Sequence, residues 1–307
     1  METKDLDIAI RDLALELGFC DYSALRITKM ELETLRLREY LSRGFNAQMG
    51  YLERNIDKRE DPKLLLDGAQ SILCFLAEYR NENLLESIPK IASYAQGLDY
   101  HDVIKSKLKV IGEKISTFRP GAQYRVFTDS APILERSWAA KAGLGFIGKS
   151  TMLINKNHGV RTLIGVILST EEIDSNRELV KNGCGNCRKC IDSCPNGAIS
   201  SDGFVNANRC ISYRTIESKH MRSEEPFMIN QNGWFFGCDI CIDACPWSKK
   251  SSNKFLDGLK DESLDFKMNI EEWQKMSESE FKLKFKKTPL KRAGYLKIMD
   301  NLAGINE

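Results

Sequence analysis

An α/β body, then a compact cysteine-rich module, then a short helical C-terminal segment is the fold class this 307-residue sequence predicts. Three observations carry that reading. Strand-like apolar runs alternate with amphipathic helical stretches in the N-terminal part, the pattern of an α/β layer architecture. Eight cysteines crowd between Cys184 and Cys245. Beyond Trp247 the chain turns polar and then basic. The expected division is residues 1–175, 176–250 and 251–307.

The elements follow in order. Residues 5–17 place Leu6, Ile10, Leu13 and Leu17 on one helical stripe, and Gly18 stops it. Ile72-Leu73-Cys74-Phe75-Leu76 is short, continuous and apolar, as a buried strand should be. Residues 101–118 put Ile104, Leu108, Ile111 and Ile115 on one helical face. Tyr124-Arg125-Val126-Phe127 reads as a strand ending at Thr128-Asp129. Pro132 suits an early helical position, so 132–142 reads as a helix. Residues 162–169 form another β-like run, and the acidic, polar stretch 171–182 is the expected join to the cysteine module. Ser248-Lys249-Lys250-Ser251-Ser252-Asn253 reads as a linker into the helical C-terminal segment.

With 42% apolar residues the chain can bury a substantial core plus a second small module. A formal net charge of +2 says little about partners. Ten cysteines in a secreted chain would suggest disulfides. The start, Met1-Glu2-Thr3-Lys4-Asp5, is instead polar and runs straight into an amphipathic helix. No apolar run approaches the roughly 18 residues needed to span a bilayer. A monomer in a reducing cytoplasm, away from membranes, is the expectation. Cys20 and Cys74 sit among apolar residues and read as buried thiols.

The eight clustered cysteines carry the chemistry. The first four read Cys184-x-x-Cys187-x-x-Cys190-x-x-x-Cys194-Pro195, Cys210 stands alone, and the last three read Cys238-x-x-Cys241-x-x-x-Cys245-Pro246. The first run has the bacterial ferredoxin spacing, in which the fourth cysteine serves the other cluster. Crossing the pattern gives two sets of four. Cys184, Cys187, Cys190 and Cys245 would hold one [4Fe-4S] cluster; Cys194, Cys210, Cys238 and Cys241 would hold the other. Cys210 replaces the usual first cysteine of the second motif. Four-cysteine zinc sites also use C-x2-C pairs, but three cysteines at this spacing followed by Cys-Pro favour iron–sulfur.

Four other features need weighing. Gly143-Leu-Gly-Phe-Ile-Gly148-Lys149-Ser150 fits two phosphate-loop patterns at once. The residues before it look helical and those after it extended, the reverse of the order such loops need. A glycine-rich turn packed against another large ligand is the better reading. His101 in Asp99-Tyr100-His101 nearly fits a cobalamin-ligating Asp-x-His-x-x-Gly sequence, but Ile104 holds the glycine position, leaving a surface or helix-start histidine. Asp129, between a strand end and a proline-led helix, is either a carboxylate aimed into a cleft or a helix cap; partly buried, its pKa would rise and it would donate a proton. From 282 to 297 there are seven basic residues and no acidic one, with Phe281, Phe285 and Tyr295 interleaved. That run is either a phosphate-tracking surface or a solvated helix face.

The combined pattern resembles the epoxyqueuosine reductase family, cobalamin-dependent iron–sulfur enzymes of tRNA modification. The matching stretches are Ser93-Tyr94-Ala95 through Asp99-Tyr100-His101, and Thr128-Asp129-Ser130-Ala131-Pro132-Ile133-Leu134-Glu135-Arg136. They continue with Ala142 to Lys149, Cys210-Ile211-Ser212-Tyr213, Gly237-Cys238-Asp239-Ile240-Cys241 and Thr288-Pro289-Leu290-Lys291-Arg292, spanning most of residues 45–295. The resemblance implies a cobalamin-binding α/β domain ahead of the two-cluster module, and reduction of the epoxide of epoxyqueuosine to the alkene of queuosine at the tRNA wobble position. It implies Asp129 as general acid, the Cys238–Cys241 cluster nearest the corrin, and Asp239 and Ile240 against the macrocycle. Arg54, Asp129, Lys149 and Ser212 are its further cofactor contacts, and an external electron donor is required. Many family members continue into a C-terminal helical-repeat extension that helps hold tRNA; here Lys286, Lys287, Lys291 and Arg292 are expected to carry more of that work. Two rival classes share features with this chain. A cobalamin-dependent reductive dehalogenase would act on a small organohalide and need no basic surface. A plain electron-transfer ferredoxin would need only residues 180–250.

Overall fold

The structure is a computed structural model that describes residues 3–79, 89–221, 231–251, 255–259, 264 and 266–305. Its main sheet has four strands: β1 (Asp21–Arg26), β2 (Ser71–Glu78), β4 (Tyr124–Phe127) and β7 (Thr162–Ser169), in the order β1-β2-β7-β4. Helices α1 (Thr3–Glu16) and α4 (Tyr100–Phe118) cover one face, and α5 (Glu135–Lys141) covers the other. Alternation along β2 explains the arrangement. Leu73, Phe75 and Ala77 join Leu6, Ile10, Ile104, Leu108 and Ile111 in one core. Ile72, Cys74 and Leu76 join Phe127, Trp138, Ala139 and Val166 in the other. A strand buried on both faces has no reason to alternate in polarity, so its sequence reads as an unbroken apolar run.

Strands alternating with helices favour parallel pairing, yet every pair in this sheet is antiparallel. The body is therefore a mixed α/β layer and not a doubly wound one. The cause lies in the first connection. A parallel crossover needs a helix packed on the sheet. Between β1 and β2, α2 (Glu31–Ser42) buries only Thr34, leaves Leu32 and Leu35 exposed, and packs beside α3 (Ile56–Glu60). The sequence-predicted helix at 132–142 begins three residues later, at Glu135, because residues 129–134 form a turn. Cys74 is fully buried; Cys20 is half-buried beside Glu78 and His158, and burial pushes both thiols up.

The Gly143–Ser150 stretch is a helix end followed by a β-hairpin. Strand β5 (Phe146–Ile147) pairs antiparallel with β6 (Leu153–Ile154), and Gly148 sits in the turn between them. A Cβ on Gly148 would meet Ile154 Cδ1 at 2.6 Å and Cys184 Sγ at 3.5 Å, so the glycine brings the hairpin up to the cysteine module. At the far end of the hairpin, Gly159 has φ +70°, and a Cβ there would meet the Trp247 carbonyl oxygen at 2.2 Å.

Among the described residues the cysteine module holds three short α-helices: α6 (Lys189–Asp192), α7 (Ile211–Ile216) and α8 (Ile240–Asp243), with α6 packed against α8. The polar stretch 171–182 has no regular secondary structure. A two-stranded parallel sheet, β3 (Lys90–Ile91) with β8 (Trp234–Phe236), leads into a third core. Phe235, Phe236 and Ile91 pack there with Trp273, Phe281, Phe285, Leu290, Ile298 and Leu302. Helices α9 (Ile270–Lys275) and α10 (Glu278–Phe285) each start with a capping box, Asn269/Glu272 and Ser277/Glu280. With α11 (Gly294–Ala303) they form a packed layer, so the C-terminal segment is built into the molecule. Ser252 and Asn253 of the expected linker lie outside the described residues. No described helix is long and apolar enough to cross a membrane.

Candidate functional site

Each cysteine run places its thiols on a loop and the first turn of a short helix. Cys187 N–H donates to the Cys184 carbonyl (2.8 Å), and α6 then carries Cys190. Cys210 immediately precedes α7, and Cys241 lies in α8. The fold sorts the eight thiols into two electrostatic groups. Cys190 lies within reach of Cys184 and Cys245, and Cys245 within reach of Cys184 and Cys187. Cys241 lies within reach of Cys238, Cys210 and Cys194. By membership each group coincides with one of the two crossed cysteine sets read from the spacing. Burial, then Cys210, Asp239 and Cys194, push Cys238 up to about 12. Burial also raises Cys210 and Cys241. Crowded buried thiols of this kind give up their protons when a positively charged metal centre binds them as thiolates.

Asp129 lies two residues beyond the end of β4 with φ +54°, a left-handed conformation uncommon outside glycine. Its side chain is 65% exposed, in contrast to the partly buried acid considered from sequence. It does not cap α5, whose cap position is Leu134 and has no side-chain cap bond. Tyr100 donates its hydroxyl to Asp129 Oδ2 at 2.6 Å, and the Asp129 N–H donates to Glu135 Oε1 at 2.7 Å. His101 stacks on Tyr100 (4.1 Å between centroids), with Nε2 3.9 Å from Asp129 Oδ2 and Nδ1 2.7 Å from Asp99 Oδ1. Burial works to raise the pKa of Asp99, but bonds from His101 and Lys291 outweigh it and hold the carboxyl well below the usual range. Burial and the Asp129 charge act the other way on Glu135, pushing it up to about 8.

Tyr94 links the surroundings of Asp129 to the second cysteine set, packing in the same small apolar cluster as Cys238. Tyr94, edge-on to Tyr100 at 5.9 Å, lies within electrostatic reach of Asp129, Asp239, Arg292 and Glu217. Burial pushes the Tyr51 hydroxyl up to about 12, with Glu217, Arg292 and Asp129 all close enough to act on it. Ile240 is half-buried beside Tyr94 and Cys238, and Ser212 is half-buried in α7. Arg54 is exposed, just before Asn55, whose φ is +56°.

Two expected macrocycle contacts are engaged elsewhere. Lys149 Nζ donates to the carbonyls of Gly185 (2.7 Å) and Cys187 (2.9 Å), crowning the first cysteine loop. Asp239 is 2% exposed and accepts from Ser93 N–H (2.7 Å) and Ser93 Oγ (2.6 Å), with Arg161 Nη1 at 3.8 Å. It bolts the second cysteine loop to the chain after β3. Among the described residues its buried Oδ1 has no hydrogen-bond partner.

The basic run is not uniform. Lys291 pairs with Asp99 (2.7 Å) and Asp102 (3.7 Å), and Arg292 pairs with Glu217 (2.7 Å). Lys282 pairs with Glu278, and Lys297 is buried, donating to the His220 carbonyl at 2.5 Å. Lys286 and Lys287 are exposed and make no ion pair among the described residues.

Sequence reasoning missed Tyr100, Glu135 and the Asp99–His101 pair as parts of this site. The Asp99-Tyr100-His101 triplet was visible, and the structure makes it a helix start as expected: Asp99 caps α4. Its second role depends on β4 ending opposite, which no local pattern reports.

Known proteins share this arrangement. Residues 59–130 match the family profile described as epoxyqueuosine reductase QueG, DUF1730, and residues 183–248 match the 4Fe-4S double cluster binding domain. The epoxyqueuosine reductase of Leadbetterella byssophila is 37% identical over 311 residues, covering 99% of each chain. That of Cyclobacterium marinum is 37% identical over 289 residues, 92% of this chain and 91% of its own. Among solved structures, the epoxyqueuosine reductase of Streptococcus thermophilus superposes with a TM-score of 0.83 at 26% identity, covering 97% of this chain and 80% of that one. An epoxyqueuosine reductase bound to an epoxyqueuosine-modified tRNA-Tyr stem loop superposes with a TM-score of 0.85 at 25% identity, covering 99% and 81%.

Proposed function

Because the chain belongs to the epoxyqueuosine reductase family, we propose that it reduces the epoxide of epoxyqueuosine in tRNA to the alkene of queuosine. The observation that carries the reading is a family match along essentially the whole chain, with Tyr94 within electrostatic reach of both Asp129 and Asp239 of the second cysteine loop. The named relatives favour it over a dehalogenase, and the α/β body ahead of the cysteine module favours it over a plain electron carrier.

The donor sets fit the cofactors. Two groups of four cysteines suit two [4Fe-4S] clusters. Beside the Cys238–Cys241 loop, Ile240 and Tyr94 are partly buried apolar surface, and half-buried Ser212 and exposed Arg54 are the polar contacts the family resemblance implies. That mixture suits cobalamin, a large ring with amide-bearing edges. When bound, cobalamin supplies a strongly nucleophilic metal centre and the clusters supply electrons singly. The protein's own work is positioning, water exclusion and proton delivery. Asp129 gives its proton to the epoxide oxygen as the ring opens, and Tyr100 fixes the carboxyl through Oδ2. Asp239 and Lys149 serve the cofactors indirectly, by fixing the two cysteine loops.

In this reading residues 1–175 hold cobalamin and substrate, 176–250 hold the clusters, and 251–307 form the basic layer that meets tRNA. An external one-electron donor supplies the reductant, and the enzyme works as a monomer in the cytoplasm. The test is an anaerobic assay on epoxyqueuosine-containing tRNA with nucleosides identified by mass. Queuosine is the expected product; unchanged epoxyqueuosine with intact cofactors would refute the proposal.

A further inference from the structure

We propose that Cys20, Glu78 and His158 form a zinc site where the α/β body meets the chain leaving the cysteine module. The site is separate from both cysteine sets and from Asp129, and it does not depend on the reaction assigned above.

Three distant parts of the sequence supply the donors. Cys20 immediately precedes β1, Glu78 is the last residue of β2, and His158 lies in the loop after β6. A thiol sulfur, a carboxylate oxygen and an imidazole nitrogen, one from each, all lie within 4.8 Å of one another. Among the described residues no other trio of His, Cys, Asp or Glu converges as closely. Donors around a tetrahedral zinc stand about 3.5 Å apart, so adjustments of about 1 Å bring all three to bonding distance.

The backbone holds the donors in place. Cys20 N–H donates to the Leu76 carbonyl at 2.8 Å. Asn155 Oδ1 accepts from the N–H groups of Asn157 (2.8 Å) and His158 (3.0 Å), which fixes the loop that carries the imidazole. Ser251 donates its hydroxyl to Glu78 Oε2 at 2.6 Å, the kind of outer contact that orients a carboxylate ligand.

Burial and charge both favour a cation here. The Glu78 side chain is 2% exposed and that of His158 14%, and His158 Nδ1 contacts Glu78 Oε1 directly. The charged groups within electrostatic reach of the Cys20 thiol, Glu78 and Asp21, are both acids. Asp21 is itself held by Arg177 and Asn155, which leaves it outside the trio. A divalent ion takes the place of the proton between His158 and Glu78 and of the Cys20 thiol proton, and binding releases both. Calcium and magnesium take oxygen ligands, whereas thiolate, imidazole and carboxylate together are zinc donors. Three protein ligands leave the fourth position to water. Through Ser251 on the Glu78 carboxylate and Leu256 N–H on the Glu78 carbonyl (3.4 Å), the ion would pin the end of β2 to the chain that follows Cys245.

The test starts from cluster-loaded protein carrying about eight irons. It is incubated anaerobically with one equivalent of zinc chloride, desalted and analysed for both metals. About one zinc per chain should be retained with iron unchanged. Competition against a fluorescent zinc chelator then gives the affinity. Loss of an outer contact costs about 10–100-fold, so Ser251→Ala should weaken zinc by about that much and Cys20→Ser or His158→Gln by more than about 100-fold, each with iron unchanged. A wild type that retains no zinc, or variants that bind it as tightly as wild type, overturns the proposal. Anomalous diffraction at the zinc edge from zinc-treated wild-type crystals needs no variant. A peak between Cys20, Glu78 and His158 is expected; its absence there overturns the site, whatever the protein does with epoxyqueuosine tRNA.

Discussion

Asp129 combines three properties that rarely coincide: a left-handed backbone, an exposed carboxyl, and hydrogen bonds from a buried tyrosine and to a half-buried acid. Asp129→Asn keeps the shape and removes the acidic proton. It should fold and load its cofactors normally, with turnover at saturating reductant and tRNA down about 10²–10⁴-fold. Near-normal turnover would assign the proton to another group. Asp99 gives a stability prediction. Its folded pKa lies below the unfolded value, so its contribution is fully present above about pH 4 and is lost as pH falls through the folded value. Asp99→Asn should therefore lower Tm by several degrees at pH 5–7, and the gap should narrow below about pH 4. A gap that is the same at pH 3.5 and pH 7 would contradict a charged Asp99 in the folded protein. Asp129 was legible in the sequence because an apolar strand visibly ends there. Glu135 and His101 were not, because their roles arise where α4 and α5 meet across the end of β4.

At the scale of elements, the cysteine spacing was the most legible feature of the chain, since metal geometry dictates it directly. The hairpin β5–β6 was hidden: its strands are two residues each, and its glycines imitate a phosphate loop. Their actual task is close approach. Gly159→Ala would force a Cβ against the Trp247 carbonyl and strain a positive φ, disturbing the chain just after Cys245. Anaerobically purified Gly159→Ala should lose the cluster that Cys245 completes, falling from about eight irons to about four. Cys210→Ala should reach a similar count by losing the other cluster. Iron analysis gives the counts, and electron paramagnetic resonance of the reduced proteins tells which cluster remains. Eight irons retained in Gly159→Ala would show that the hairpin contact is dispensable.

Across the whole molecule, the charge run at 282–297 illustrates what sequence alone could not sort. Seven basic residues looked equivalent, yet packing commits Lys291 and Arg292 to ion pairs with Asp99 and Glu217 and buries Lys297. Lys286 and Lys287 remain exposed. Neutralising those two should weaken tRNA binding and lower the slope of log affinity against log salt by about one for each phosphate no longer neutralised. Cofactor content should not change. An unaltered slope would make this surface a solvated face. The layer class of the body was legible, but strand direction was not, because direction depends on where α2 packs and α2 shows no strong apolar face.

The strand order has a consequence for how the protein is made. Strand β7 lies between β2 and β4, yet it is the last of the four to leave the ribosome. Until residue 169 emerges, β2 has β1 on one side only, and its other edge presents Ile72 to Ala77, an uncharged apolar segment, to solvent. Such an edge pairs readily with other chains. At about 5–20 residues per second the wait from β2 to β7 lasts several seconds or more. The nascent chain therefore passes through an aggregation-prone interval that ends only when β7 slots in, and yield in a host should depend on chaperone occupancy during that interval more than on the stability of the finished fold.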